Sequence, residues 1–547
     1  MTRWLIAAVG ALAFAGVAHA GPGLADLIQA RQDPAALKMI DAGANVNVRQ
    51  GDGTTALDWA TYRLDVPMVK ALLKHGADPD LMNDLGSSPL DEAAKAGNLP
   101  LVKMLLKARA AADEPNPDGQ TALMLAARTG VVPVAKLLVR HGANVNARER
   151  WRGQTALMWA AAQGHADMTR FLVRHGANVN SRDYYNDWLD KATQVTSEPR
   201  AQYRPGGGLT PLLYAARSGC LGCVQALLKG GAKIDRPTPK GYTPLITAID
   251  NYHFDVAKYL LQHGANPNIW DWYGRTPLYV AVDMVTYFAH YGPKDHPDST
   301  TPLDLVKTLL ADGANPNAQL DLHRPGRGGN SGRFRDNLLR TGCTPLLLAA
   351  ISHDTAAIKL LLAHGALVDL PNVNGVTPLM AAAGRGWSAH SLFGARADFA
   401  PPPQAQANAV NTIAVLLAAG ANINARAMNP NRHTGRIGGG RGSRLFFGNG
   451  QTALFGAITQ AWPRVVQYLI QRGANVNLAD QTGVTPLMAA TRGAGSFHRG
   501  GFEPNKQIVA LLTKAGAVGR VAATGQPAAL QPPEEPVAQR TPQAANR

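Results

Sequence analysis

The sequence predicts an all-α repeat solenoid, made of stacked helix-turn-helix units joined by β-hairpin finger loops. Three observations carry that expectation. A short phrase recurs along the chain and is clearest at Leu72–Asp80, Leu137–Asn146 and Leu172–Asn180, where a leucine-rich stretch runs through His-Gly-Ala into Asn-x-Asn or Asp-x-Asp. The glycine of the phrase falls at Gly43, Gly76, Gly142, Gly176, Gly231, Gly264, Gly313, Gly365, Gly420, Gly473 and Gly516, with Arg109 in a degenerate copy. The steps from Gly43 to Gly76 and from Gly231 to Gly264 are 33 residues, and Gly76 to Gly142 is twice that. A fixed period of this size marks units that cannot bury their own apolar face, so neighbours complete the core.

Each unit opens on Thr-Pro-Leu or Thr-Ala-Leu, as at Thr210-Pro211, Thr243-Pro244, Thr276-Pro277, Thr344-Pro345, Thr377-Pro378 and Thr485-Pro486. A threonine hydroxyl can accept from a free first-turn amide, and proline at the next position loses no hydrogen bond there. Thr-Pro therefore starts a helix. The small residues that follow (Ala126-Ala127, Ala160 to Ala162, Ala215-Ala216, Ala349-Ala350) let a second helix approach closely. That second helix carries an apolar stripe at helical spacing, as in Val134, Leu137 and Leu138, and stops at the glycine. The Asn-x-Asn and Asp-x-x-Gly segments read as a tight turn leading to the next threonine.

This unit resembles the ankyrin repeat, whose signature is Thr-Pro-Leu-His-x-Ala. The resemblance covers roughly residues 24–517, about twelve copies with insertions, and is to an exported bacterial type. It implies a binding scaffold without catalysis or cofactor. One departure is systematic: the motif's histidine is replaced by Asp58, Asp91, Met124, Met158, Leu213, Ile246, Tyr279, Leu347, Met380, Phe455 and Met488. Apolar packing is expected in its place.

Residues 1–20 read as a secretion signal, with Arg3, an apolar run from Trp4 to Val17, and Ala18-His19-Ala20 before Gly21. That run is too short for an ordinary membrane span, and the mature chain is expected to be exported, periplasmic or secreted, and not transmembrane. The expected organisation is a signal peptide at 1–20, a repeat domain at 21–517 forming one elongated body, and a disordered Pro/Ala/Gln-rich tail at 518–547. The net charge of +16 favours anionic partners. Export points these toward a protein, an anionic glycan or a lipid head group, with no nucleic acid expected.

Insertions interrupt the period near 184–206, 285–302, 321–340, 385–411, 428–449 and 494–505, and loops on a repeat scaffold are where function gathers. The loop 428–449 carries Arg432, Arg436, Arg441 and Arg444 with Phe446 and Phe447, and no acidic residue. The loop 321–340 repeats the theme with Arg333 and Arg335 among five arginines. Arginines in such a setting present forked donors to phosphate, sulfate or carboxylate. Trp151, Trp270, Trp272 and Tyr273 fall at finger tips, where exposed aromatics favour partner contact. Each could instead pack on the neighbouring finger.

Cys220-Leu-Gly-Cys223 stands at the start of a second helix. It reads as a structural disulfide or two free thiols, with a redox-active pair as the alternative. The histidines of the His-Gly phrase are spaced by a full repeat, too far apart to share a metal, and no catalytic motif stands in its required context. The sequence therefore points to an exported non-catalytic scaffold binding a macromolecule through its concave face and finger loops. Alternatives are an enzyme or redox factor with a site in the insertions of repeats 8–12 or at Cys220 and Cys223, and a secreted effector acting on host proteins.

Overall fold

The computed structural model describes residues 22–185, 207–291, 295–321, 342–384, 402–427, 450–491 and 505–519, without the side chains of 286–291 and 402–403. The proposed signal, nearly all of the tail and much of the insertions lie outside the described residues. Helix starts follow the threonines. Thr55, Thr121, Thr155, Thr210, Thr243, Thr344 and Thr377 each accept, through the side chain, the amide three residues on. Thr452 makes no such bond.

At the position of the missing histidine the expectation of apolar packing needs correcting twice. Asp58 Oδ2 accepts from both the amide and the hydroxyl of Thr55, each at 2.8 Å, and Asp91 does the same with Ser88. These are reciprocal capping boxes, satisfying two first-turn donors at once. Burial pushes both carboxyls up to about 6. Met124, Met158, Leu213, Ile246, Tyr279, Leu347, Met380 and Phe455 are buried as expected, while Met488 is only partly buried.

The second helices bury one stripe, such as Val134, Ala135 and Leu138 on Val132–Arg140. First helices then pack on first helices and second on second, in two layers. Each second helix ends at the left-handed residue of the phrase. Gly76 has φ 84° with open space where a Cβ would go, so what glycine supplies there is backbone freedom. Arg109 adopts the same conformation at φ 68° and bears a cost of about 1–2 kcal/mol for it.

Beyond the glycine, a ladder joins each repeat to the next. Asn146 Nδ2 donates to Gly176 O at 3.0 Å, and its Oδ1 accepts from Asn178 N at 2.8 Å. Asn47, Asn180, Asn268, Asn317 and Asn477 make the same two bonds across 29 to 53 residues. Asp80, Asp113, Asp235 and Asp369 occupy equivalent rungs and accept the amide. An ionised carboxylate has no proton for the carbonyl, and burial raises the pKa of Asp235 and Asp369.

In the described fingers the expected β-hairpins are not formed as paired strands. Among the described residues there is no strand, only an isolated antiparallel bridge between Arg49 and Thr55. Each short finger closes on two backbone bonds at one residue, as where Asn83 N donates to Ser87 O and Asn83 O accepts from Gly86 N, or Asp271 N donates to Arg275 O and Asp271 O accepts from Gly274 N, which leaves no length for a ladder. Its spare groups turn sideways instead: Asp84 N donates to Asp52 O, Arg150 N to Asp118 O and Trp272 N to Lys240 O, linking consecutive fingers.

The chain divides into two compact units between Asn315 and Pro316. In the first, part of the insertion near 285–302 is helix, continuing Pro277–Tyr291. Its return segment is docked by Asp255, whose carboxylate accepts from the amides of Ser299 and Thr300, while Asp298 accepts from Asp255 N. In the second unit, residues 402–411 of another insertion belong to the helix Pro402–Ala418.

Candidate partner-binding surfaces

Two surfaces of the first unit carry side chains suited to recognition. The finger tips are one. Trp151 is 82% exposed, Trp270 60% and Trp272 59%, while Tyr273 is only partly exposed. Their fingers are rigid for identifiable reasons. Glu149 gathers the amides of Trp151, Arg152 and Gln154 around its carboxylate, at 2.6 to 3.0 Å. Beneath Trp270 and Trp272, the buried Arg275 reaches Asp271 at 2.7 Å and Asp250 at 2.9 Å. Burial opposes the charge on Arg275, but the two carboxylates hold its pKa above the ordinary arginine value. Lys240 stands over the Trp272 ring at 5.7 Å.

The outward face of the first helices is the other, and the sequence reading passed it over. Four residues after the opening threonine, or serine at Ser88, stand Trp59, Glu92, Leu125, Trp159 and Tyr214, of which Leu125 and Tyr214 are buried; seven after it stand Tyr62, Lys95, Arg128, Ala162 and Arg217. These positions are neighbours on a helix and repeat in register from unit to unit. Trp59 Nε1 donates to Gln50 Oε1 at 2.6 Å, and Trp159 Nε1 to Gln154 Oε1 at 3.0 Å, so each indole is fixed by its own finger. Tyr62 packs edge-on against Trp59 at 5.9 Å and is 65% exposed. Arg128 lies over the Trp159 ring of the next repeat at 5.5 Å, and Arg217 over Tyr214 at 5.0 Å. Gln154 also bonds the Tyr214 hydroxyl, which donates to Asp183 at 2.6 Å. Burial, then the Asp183 charge, lifts that phenol well above its usual pKa, keeping it a donor. The signal was a fixed offset from each threonine; along the chain Trp159 sits in Ala-Leu-Met-Trp-Ala-Ala and reads as core.

The other sequence candidates divide. Arg333, Arg335, Arg432, Arg436, Arg441, Arg444, Phe446 and Phe447 lie outside the described residues. Cys220 and Cys223 are joined, with sulfurs at 2.07 Å. His75, His175, His263 and His364 of the His-Gly phrase bond their own helix ends, as His75 Nδ1 does to Ala71 O at 2.9 Å, and among the described residues no cluster could hold a metal. No helix among them is long and apolar enough to cross a membrane.

Comparison with known proteins agrees with this architecture. A model of consecutive ankyrin repeats matches residues 27–115, 92–183, 212–320 and 298–400, and a single-repeat model matches 449–481. The chain is 34% identical over 128 residues to the mouse B-cell lymphoma 3 protein homolog, covering 23% of this chain and 25% of that protein. It is 32% identical over 158 residues to a putative ankyrin repeat protein of fowlpox virus, covering 28% and 37%. It is 42% identical over 59 residues to human protein phosphatase 1 regulatory subunit 27, covering 11% and 38%. The matches thus span a quarter to two fifths of these relatives' own lengths. Over more than half of its length the chain matches the repeat model, and it belongs to the ankyrin-repeat family.

Proposed function

We propose that the chain is an exported, non-catalytic scaffold that binds a protein partner, using the first-helix face and finger tips of the first unit, with the arginine-bearing loops of the second attracting an anionic partner surface. One observation carries the reading: Trp59 and Trp159 are held by their own fingers, Arg128 by the ring of the next repeat, and Tyr62 and Arg217 by aromatic rings of their own helices. Aromatic and arginine side chains already fixed lose little freedom on binding, which is what makes such residues hot spots. The name of a phosphatase regulatory subunit among the relatives supports a role through association. Export rests on residues 1–20; amino-terminal sequencing of envelope protein should find Gly21 first, and intact Met1 would end that part.

In-cell crosslinking followed by identification of the captured protein tests the binding reading. Trp59→Ala with Trp159→Ala should weaken that capture by at least about tenfold, the loss of a hot-spot residue. Replacing Arg432, Arg436, Arg441 and Arg444 with serine should shift stability by no more than about 0.5 kcal/mol each while flattening the salt dependence of binding. Unchanged affinity of both variants at every salt concentration would defeat the proposal.

A further inference from the structure

We propose that Cys220 and Cys223 form a thiol–disulfide exchange centre that passes its disulfide to a cysteine pair of a second protein. The first argument is position. Cys220 is the N-cap of helix Leu221–Lys229, and the amide of Cys223 donates to its sulfur at 3.1 Å. In other repeats the residue at this place is Asp65, Asn98, Asp354 or Asn505, and its side-chain oxygen takes the corresponding amide. The fold thus builds a slot for an acceptor here, and in two repeats that acceptor is a carboxylate. When the bridge opens, the Cys220 thiolate occupies this slot, at the positive end of a nine-residue helix. The carbonyl of Gly164 lies 3.3 Å from the same sulfur and can take the proton of the neutral thiol. The flanking turns place His165 and His253 at the same position, each bonded through Nε2 to a backbone carbonyl.

The second argument is asymmetry. Cys220 is partly exposed, whereas Cys223 is fully buried, so an incoming thiolate can reach only the first sulfur. The third is what the bridge does not do. It spans a sequence separation of 3, and closing so short a loop restrains the unfolded chain less than any longer disulfide would. The turns at Val131, His165 and His253 hold the same conformation with no bridge and no side-chain cap bond.

The exchange balances without an additional reagent. A partner thiolate attacks Cys220 Sγ, the Cys220–Cys223 bond breaks, and Cys223 leaves with the electron pair and takes a proton from solvent. The partner's second thiol, its proton lost to solvent, attacks its own sulfur in the mixed disulfide. Cys220 leaves as the thiolate and the partner holds a new disulfide. Two electrons have moved from the partner's dithiol to this pair. A stabilised leaving thiolate favours this direction, because a pair whose reduced form is stabilised is an oxidant.

The test uses the full chain and a synthetic peptide carrying two cysteines. After reduction, Cys220 should be alkylated at pH 6 at least about tenfold faster in the folded protein than in denaturant, the mark of a stabilised thiolate. The oxidised protein should convert the dithiol peptide to its disulfide, and reduced Cys223→Ala, mixed with the peptide in its disulfide form, should capture it on Cys220 as a mixed disulfide, one peptide sulfur leaving as the thiolate. Cys220→Asp keeps the cap seen at Asp65 and Asp354, so it should fold with unchanged helical signal and lose all exchange. Equal alkylation rates in folded and unfolded protein, or a bridge that survives millimolar glutathione intact, would overturn the proposal.

Discussion

The two units use the same stacking chemistry and present different surfaces. Residues 1–315 carry 32 Lys and Arg against 29 Asp and Glu, while 316–547 carry 22 against 9, so most of the net charge belongs to the second unit. In the first, several phrase glycines keep the 33-residue step; in the second, none of the steps from Gly365 through Gly420 and Gly473 to Gly516 does. The first-helix faces diverge as well. Trp59, Trp159 and Tyr214 of the first unit correspond to Leu348, Ala381, Gly456 and Ala489 of the second. What is common is the core, caps and ladder; what differs is everything a partner would touch. Recognition in the first unit can therefore rest on fixed side chains, and in the second on charge carried by inserted loops.

If the cores are equivalent, matched cavities should cost the same. Leu138→Ala and Leu469→Ala remove fully buried leucines at corresponding places on Val132–Arg140 and Pro463–Gln471. Each should destabilise its surroundings by about 2–5 kcal/mol, read as faster amide hydrogen exchange in the mutated repeat and its neighbours. A consistently smaller loss at Leu469 would mean that the second unit is less tightly packed, and the comparison would have to include the core.

A smaller effect separates the units by pH. Asp58 and Asp91 both belong to the first unit, and their folded pKa of about 6 stands above the ordinary 3.8. Between about pH 4 and 6 the folded chain holds protons that the unfolded chain has released. Acidification through that window should stabilise the first repeats, and raising pH through 6 should withdraw the gain, by up to about 3 kcal/mol per group. Asp58→Asn should flatten the dependence in denaturant titrations at several pH values. An unchanged slope would show that burial of this carboxyl has been offset by its hydrogen bonds.

The smallest expected effect sharpens the ladder. Asp369 Oδ1 is buried without a hydrogen-bond partner, whereas Asn317 one repeat earlier donates to Gly365 O at 2.9 Å. Asp369→Asn should supply the missing donor to the second unit and stabilise it by about 1 kcal/mol at pH 7. Asn146→Asp should cost the first unit a similar amount. Denaturant midpoints that stay put in both variants would show that the rung's donated bond contributes nothing net.

Most of the framework was legible because its signals are local. A threonine, a proline and a glycine at fixed offsets specify where helices start and stop without reference to distant residues. The form of the described fingers was less legible, because Asx-type turns and paired strands begin with the same residues and the choice depends on bonds to the neighbouring finger. Asp58 and Asp91 were taken for packing positions because the capping box reads backwards, from the third helical residue to the cap. The face holding Trp59 and Trp159 was missed for a different reason: an aromatic flanked by alanines looks apolar along the chain, and its exposure follows only from aligning the copies. The spacing of Cys220 and Cys223 allows a disulfide or two free thiols, and the structure joins them.

The ladder has a consequence for how such a chain can grow. The Asn146 side chain grips a glycine carbonyl and a backbone amide, atoms that every repeat offers in the same place whatever its side chains. The joint is therefore blind to sequence. Asn180 holds Gly231 from 51 residues away, across the inserted segment, by the same bonds that Asn47 makes to Gly76 over 29. A gene segment encoding a whole repeat could be duplicated, deleted or exchanged, and a loop of any length spliced between rungs, without a compensating change at the seam. So long as the apolar seam between repeats is kept, the exposed positions are free to vary, which lets neighbouring copies in one polypeptide diverge in what they present.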